Sequence, residues 1–177
     1  MKELTILADN PVRTDNYTPG QIGGAEHELD ALISYLEKDG YKITLLPSTT
    51  PVNQLPRSNI LFSNFIRCSE IQLSQIIDAG FTYSIIENDF KCFPGRIVEN
   101  PYMDNGICRS LRFTNFYKHA KNVFTVSTKQ FEILKKNLPQ ETNLVNLGIS
   151  IWSGEDMAYI AKVANNIQPY KKLFEDV

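Results

Sequence analysis

Residues 59–87 read NILFSNFIRCSEIQLSQIIDAGFTYSIIE, and they decide the fold class. Asn59 to Ser63 is an almost continuously apolar run of strand length, the pattern of a strand buried on both faces of a parallel sheet. Ser69 then offers a helix N-cap. Ile71, Leu73, Ile76 and Ile77 follow at helical spacing and stop at Ala79-Gly80. Phe81 to Glu87 is a second apolar run. Strand, helix and strand in regular alternation argue for a parallel sheet.

The same alternation extends in both directions. Upstream, Leu4 to Ala8 is a strand ending at Asp9-Asn10-Pro11, a turn cluster. A polar loop, Val12 to Ile22, contains Pro19 and Gly20. Gly23-Gly24 opens a helix with Leu29, Leu32, Ile33 and Leu36 on one face. Glu26, Glu28 and Asp30 enrich its first turns, and Asp39-Gly40 closes it. Tyr41 to Leu46 is the next strand, and Pro47 to Arg57 a Pro- and Thr-rich connection. Downstream, a long loop runs from Asn88 to about Asn105. Gly106 to Lys121 is predicted as a helix with Leu111, Phe113, Phe116 and Tyr117 as its buried stripe. Asn122 to Val126 is a strand. Ser127 caps a helix bearing Phe131, Ile133 and Leu134, and Asn143 to Leu147 is a sixth strand. A last helix is expected from about Gly154 to Ile167, burying Met157, Ile160, Ala161 and Ala164, with Pro169 beyond it.

The expectation is therefore an α/β protein. Its core is a Rossmann-like, doubly wound parallel sheet with helices on both faces. No internal repeat and no low-complexity stretch interrupts it. Residues 1–150 form the Rossmann-like domain, and 151–177 supply a C-terminal helix and tail. In such a sheet, ligands sit beyond the carboxyl ends of the strands, so the loops after strands carry function.

Composition narrows the class. The chain has 177 residues, 42% hydrophobic and 21% charged, with a net charge of -2. That is the profile of a globular domain, too apolar to be disordered. No run approaches the roughly 18 apolar residues of a membrane span. Weak acidity argues against nucleic acid as a partner. The N-terminus lacks the basic region and long apolar run of a secretory signal. Cys68, Cys92 and Cys108 are odd in number and form no CxxC pair, which points to reduced thiols and a cytoplasmic location. With only His27 and His119 as histidines, far apart, no metal site is expected.

Three stretches could carry chemistry. Gly20 to Glu26 combines glycines with a helix start, where free N–H groups attract anions. Its spacing is neither GxGxxG nor a Walker loop. Glu87-Asn88-Asp89-Phe90-Lys91 ends the fourth strand. A carboxylate there can orient a sugar hydroxyl or act as a base, and Lys91 or Arg96 can hold a phosphate. A solvated charged turn is the plainer alternative. Arg109-Ser110-Leu111-Arg112, with Lys118, His119 and Lys121, suits a solvated helix face. No GxSxG motif is present, and no cysteine has a histidine near it in sequence. A receiver-type acidic pocket fits poorly, because Asp9 is followed by a long loop and its partner pattern is missing. Trp152, the only tryptophan, suits a core or interface position.

Together these pieces resemble the N-terminal domain of the GT-B-fold retaining glycosyltransferases. Gly23, Gly24, Ala25 and Glu26 are similar to that group's Gly-Gly-Ala-Glu helix start. Asn122 to Ser127 resembles its strand ending in serine, followed here by Lys129 and Leu134. Leu144 to Ile149 resembles the segment before its interdomain linker. The acidic loop Glu87 to Lys91, with Arg96 and Pro101 after it, is similar to a loop of the group in which a histidine usually stands where Asn88 is here. The resemblance covers residues 1 to about 150.

It implies a metal-independent hexosyltransferase with a nucleotide-sugar donor as substrate, a carbohydrate or other acceptor, and no separate cofactor. Glu87 and Asp89 would be the catalytic carboxylates. Gly23, Gly24, Ala25, Lys91, Arg96 and Ser127 would contact the donor or its phosphates. GT-B enzymes place the active site between two such domains, so a second, donor-binding domain is expected as a missing partner. The single domain would then be weak or inactive alone. The alternative is a non-catalytic nucleotide- or sugar-binding or partner-docking module of the same fold.

Overall fold

The computed structural model describes residues 2–11, 13, 24–98, 101–148 and 158. Six strands form one parallel sheet in the order β2-β1-β3-β4-β7-β8. They are β1 (Lys2–Ala8), β2 (Tyr41–Pro47), β3 (Asn59–Phe62), β4 (Tyr83–Glu87), β7 (Val123–Thr125) and β8 (Leu144–Asn146). Helix α1 (Gly24–Lys38) joins β1 to β2, α2 (Glu70–Asp78) joins β3 to β4, and α4 (Thr128–Asn137) joins β7 to β8. A two-stranded antiparallel hairpin, β5 (Met103–Asp104) and β6 (Ile107–Cys108), and the short helix α3 (Thr114–His119) fill the connection from β4 to β7. This is the α/β sheet expected from residues 59–87.

Alternation along each strand builds two cores. Ile6, Ala8, Leu61 and Ile86 meet Leu29 and Ile33 of α1 on one face. Leu7, Ile60, Phe62, Ile85 and Val123 meet Leu73 and Ile76 of α2, Phe116 and Tyr117 of α3 and Leu134 of α4 on the other. Helices therefore cover both faces. The chain moves outward from β1 to β2, then returns past β1 to build β3, β4, β7 and β8. Winding reverses between β1 and β3, and a crevice opens beyond the carboxyl ends of strands at such a point.

Local signals act as expected at several ends. The Ser69 hydroxyl accepts from the Gln72 amide and the Ser127 hydroxyl from the Gln130 amide, capping α2 and α4. Gly40 and Gly80 follow α1 and α2 with φ of 82° and 69°, a left-handed backbone that favours glycine.

The helix expected over 106–121 is a correction. Only Thr114–His119 is helical. Asn105 and Gly106, with φ of 50° and 80°, turn the β5–β6 hairpin instead. Tertiary partners draw the backbone away from a helix: the Arg112 amide donates to the Cys92 carbonyl at 2.8 Å, and the Cys108 amide to Asn137 Oδ1 at 2.6 Å. Phe113, with φ of 57°, precedes α3 in a left-handed conformation. Of the expected stripe, Phe113, Phe116 and Tyr117 are buried, and Leu111 packs partly buried against them. The sixth strand is shorter than expected, Leu144–Asn146. Gly23, Trp152 and, Ala158 apart, the predicted helix 154–167 lie outside the described residues. No helix among the described residues is long and apolar enough to cross a membrane.

Candidate functional site

Two polar clusters stand at the carboxyl edge of the sheet. The first forms where β1 ends. The Asp9 carboxylate accepts from the Ser48 hydroxyl beyond β2 and from the Ile66 and Arg67 amides beyond β3, at 2.9 and 3.3 Å. Arg67 Nη1 donates to the Asp9 carbonyl at 3.2 Å. Asp9 thus ties three strand ends together at the reversal of winding, with its acceptor capacity committed to the chain itself. Asn10 Nδ2 donates to Glu26 Oε1 at 3.0 Å, which links the same edge to the first turn of α1.

The second cluster contains four of the residues singled out from sequence. Glu87 ends β4 with no exposed surface, and Lys91 is 2% exposed. Lys91 Nζ lies 3.0 Å from Glu87 Oε1 and 2.8 Å from Asp89 Oδ1. Arg96 Nη1 lies 2.9 Å from Asp89 Oδ2. The Tyr117 hydroxyl, from α3, donates to Glu87 Oε2. The order Glu87–Lys91–Asp89–Arg96 therefore runs from the interior to solvent. The side chains of Asp89 and Arg96 are 36% and 51% exposed.

Burial governs the protonation of this cluster. It raises Glu87, against the pull of the Lys91 ammonium and the Tyr117 hydrogen bond. Burial alone would lower Lys91, but the carboxylates of Glu87 and Asp89 outweigh it and hold the ammonium protonated. Burial and the Glu87 charge push the Tyr117 phenol well up, and burial pushes the Cys92 thiol up, so both keep their protons. Glu87 acts through Lys91 and Tyr117. The groups that face solvent are Asp89 and Arg96.

The loop carrying them is held in an unusual backbone. Gly95 and Arg96 both have positive φ, 66° and 60°. A left-handed arginine costs about 1–2 kcal/mol. Such conformations concentrate at functional sites, where the surrounding structure fixes them. Here it aims a cation at Asp89.

The remaining expected residues are dispersed around the edge. Gly24 and Ala25 open α1, Gly24 exposed and Ala25 half-buried, with free space where a Gly24 side chain would stand. Ser127 is exposed at the end of β7 with its hydroxyl accepting the α4 cap bond. His119 Nδ1 sits 2.9 Å from the Asn115 carbonyl on α3, away from both clusters' hydrogen bonds. Among the described residues no group of three or more His, Cys, Asp or Glu is arranged to hold a metal ion. Tyr117 and the Asp9 network were not legible as site residues. A carboxylate closing the first strand, as Asp9 does, was the available signal. Comparison with known proteins adds no family: no family model, curated protein or solved structure matches the chain.

Proposed function

We propose that this chain is the acceptor-side domain of a nucleotide-sugar-dependent glycosyltransferase. The observation that carries the proposal is the Glu87–Lys91–Asp89–Arg96 series at the carboxyl end of β4. It stands on the carboxyl edge of the sheet, where a doubly wound sheet takes its ligands. In sugar transfer the bond from the anomeric carbon to the diphosphate oxygen breaks. A bond to an acceptor oxygen forms, and the acceptor hydroxyl gives its proton to the departing diphosphate. Arg96 supplies a cation for the phosphate charge, with the amides at the start of α1 as a second anion contact. Asp89 is the solvent-facing carboxylate that can orient an acceptor hydroxyl. Glu87 is a positioning residue, holding Lys91, which in turn fixes Asp89.

Sequestration of Glu87 favours one further reading, a module that binds the same ligand without turning it over. Titration of UDP-, GDP- and dTDP-sugars, followed by NMR and thermal shift, tests binding, and sugar transfer measured with a donor-binding domain supplied separates enzyme from module. Arg96→Gly removes the cation and suits the left-handed backbone, so it is expected to keep or raise Tm while weakening nucleotide-sugar binding about tenfold. Absence of binding by every nucleotide sugar overturns the proposal. A Cβ at Gly24 meets no described atom within 4 Å, and Gly24→Trp is expected to weaken the same binding without unfolding the domain.

A further inference from the structure

We infer that residues 149–177 turn back over the sheet and that their stretch 154–167 docks beside α1, in an apolar groove over β4 and β7. The inference does not depend on the sugar-transfer reading. It starts from the winding. Right-handed crossovers put α1 on one face, because β1 leads outward to β2. They put α2, α3 and α4 on the other, because β3 leads the opposite way to β8. One face carries three described helices and the other carries one. Five strand spacings of about 4.8 Å make the sheet about 24 Å across, and a helix takes up about 10 Å of that width. Helix α1 packs with Ile43, Ile6 and Leu61 of β2, β1 and β3. Among the described residues, no helix stands over β7 and β8 on that face.

A cavity of about 350 Å³ lies along the remaining half. Leu61, Ile86 and Phe124 of the sheet form its floor, Leu32 and Leu36 of α1 form one wall, and Leu147 lines it just past β8. Every described lining residue belongs to α1, to the strands or to the turns beside them. Phe124 is half-buried and Leu147 is 37% exposed. An apolar face of this kind marks a docking surface.

The chain itself brings an occupant to it. It leaves β8 at Leu147, already a lining residue, and residues 149–177 follow. Met157, Ile160, Ala161 and Ala164 recur there at helical spacing, and Ser153 with Asp156 has the spacing of a capping box before them. Ala158 is helical and exposed, and a turn of about 100° per residue sets it to the side of that stripe. The reach suffices. Six residues from Gly148 extend up to about 20 Å. The path crosses two strand spacings and rises one helix diameter, each about 10 Å. A helix over 154–167 runs about 21 Å, enough to cross strands of five residues, about 17 Å long. Ala161 and Ala164 let its backbone come close to the sheet, while Met157 and Ile160 have the bulk to fill the cavity.

NMR on the labelled full chain tests this directly. Nuclear Overhauser contacts are expected from the Met157 and Ile160 methyl groups to the Phe124 ring and the Ile86 methyl groups, at every concentration and within one chain. Ile160→Asp is expected to lower Tm by about 6–12 °C, against less than about 2 °C for Ala158→Asp. The second variant carries at least the same cost in helix propensity at an exposed position, so the difference between them reads docking. Equal shifts overturn the inference, and so does the absence of contacts between 154–167 and this face. Contacts found only between labelled and unlabelled chains mean that a second copy fills the groove, and they overturn it as well.

Discussion

Lys91→Met is expected to destabilise the domain by about 3–5 kcal/mol at neutral pH, because it leaves the buried Glu87 carboxylate without its cation. The side chains of Glu87 and Lys91 are 0% and 1% exposed and 3.0 Å apart, so solvent screens the pair little. The loss should depend on pH. Burial already raises Glu87 above the usual carboxylate range, and Lys91 restrains that rise. A carboxyl whose folded pKa exceeds its unfolded value binds more protons folded than unfolded between the two values. Stability therefore falls as pH rises through that window. Removing Lys91 widens the window upward. The variant should lose least below the carboxylate range, where Glu87 is protonated in both states, and most at neutral pH. The Lys91 contribution has its own limit. Its folded pKa is raised, so its stabilisation is present below the unfolded lysine value and fades as pH climbs through the folded one. Urea unfolding at acid and neutral pH measures both arms. Adding Glu87→Gln should recover most of the neutral-pH loss. A loss under about 1 kcal/mol, or one that ignores pH, would sink this account of the pair.

How much of this was legible in sequence depends on how far apart the partners lie. The sheet was legible because Asn59–Phe62, Tyr83–Glu87 and Val123–Thr125 carry apolar runs bounded by capping serines and closing glycines. The site residues Glu87, Asp89, Lys91 and Arg96 were legible because one loop after one strand holds them all. Tyr117 was read only as a buried ring, since it reaches Glu87 from 30 residues away. The Asp9 bonds span 39 to 58 residues. The segment after Gly106 misled for a related reason. Leu111, Phe113, Phe116 and Tyr117 satisfy a helical period, but the backbone bonds that break the helix run to Cys92 and Asn137. Periodicity reports which residues are buried more faithfully than how the backbone between them runs.

Phe116→Ala is the second large effect, about 3–5 kcal/mol. The Phe116 ring stacks on Tyr83 at 4.5 Å and meets Phe62 and Phe65 at 5.0 and 5.3 Å. It is 2% exposed, and its carbonyl accepts from the Tyr83 hydroxyl at 2.7 Å. Truncation opens a cavity among rings that are themselves fixed by the sheet, so collapse is limited. Against a typical stability of about 5–15 kcal/mol, the variant should be folded but marginal. A consequence reaches the site. Phe116 holds α3, a helix of six residues, against the sheet, and the next residue is Tyr117, the donor to Glu87. Phe116→Ala and Glu87→Gln should therefore be non-additive, with a coupling of at least about 0.5 kcal/mol. Ile33→Ala, on the opposite face in a separate core, should add to Glu87→Gln without coupling. Chemical unfolding of the two double-mutant cycles tests the point. Equal additivity in both would mean that the aromatic core and the Glu87–Lys91 pair stand independently, with α3 merely adjacent to the site it helps to close.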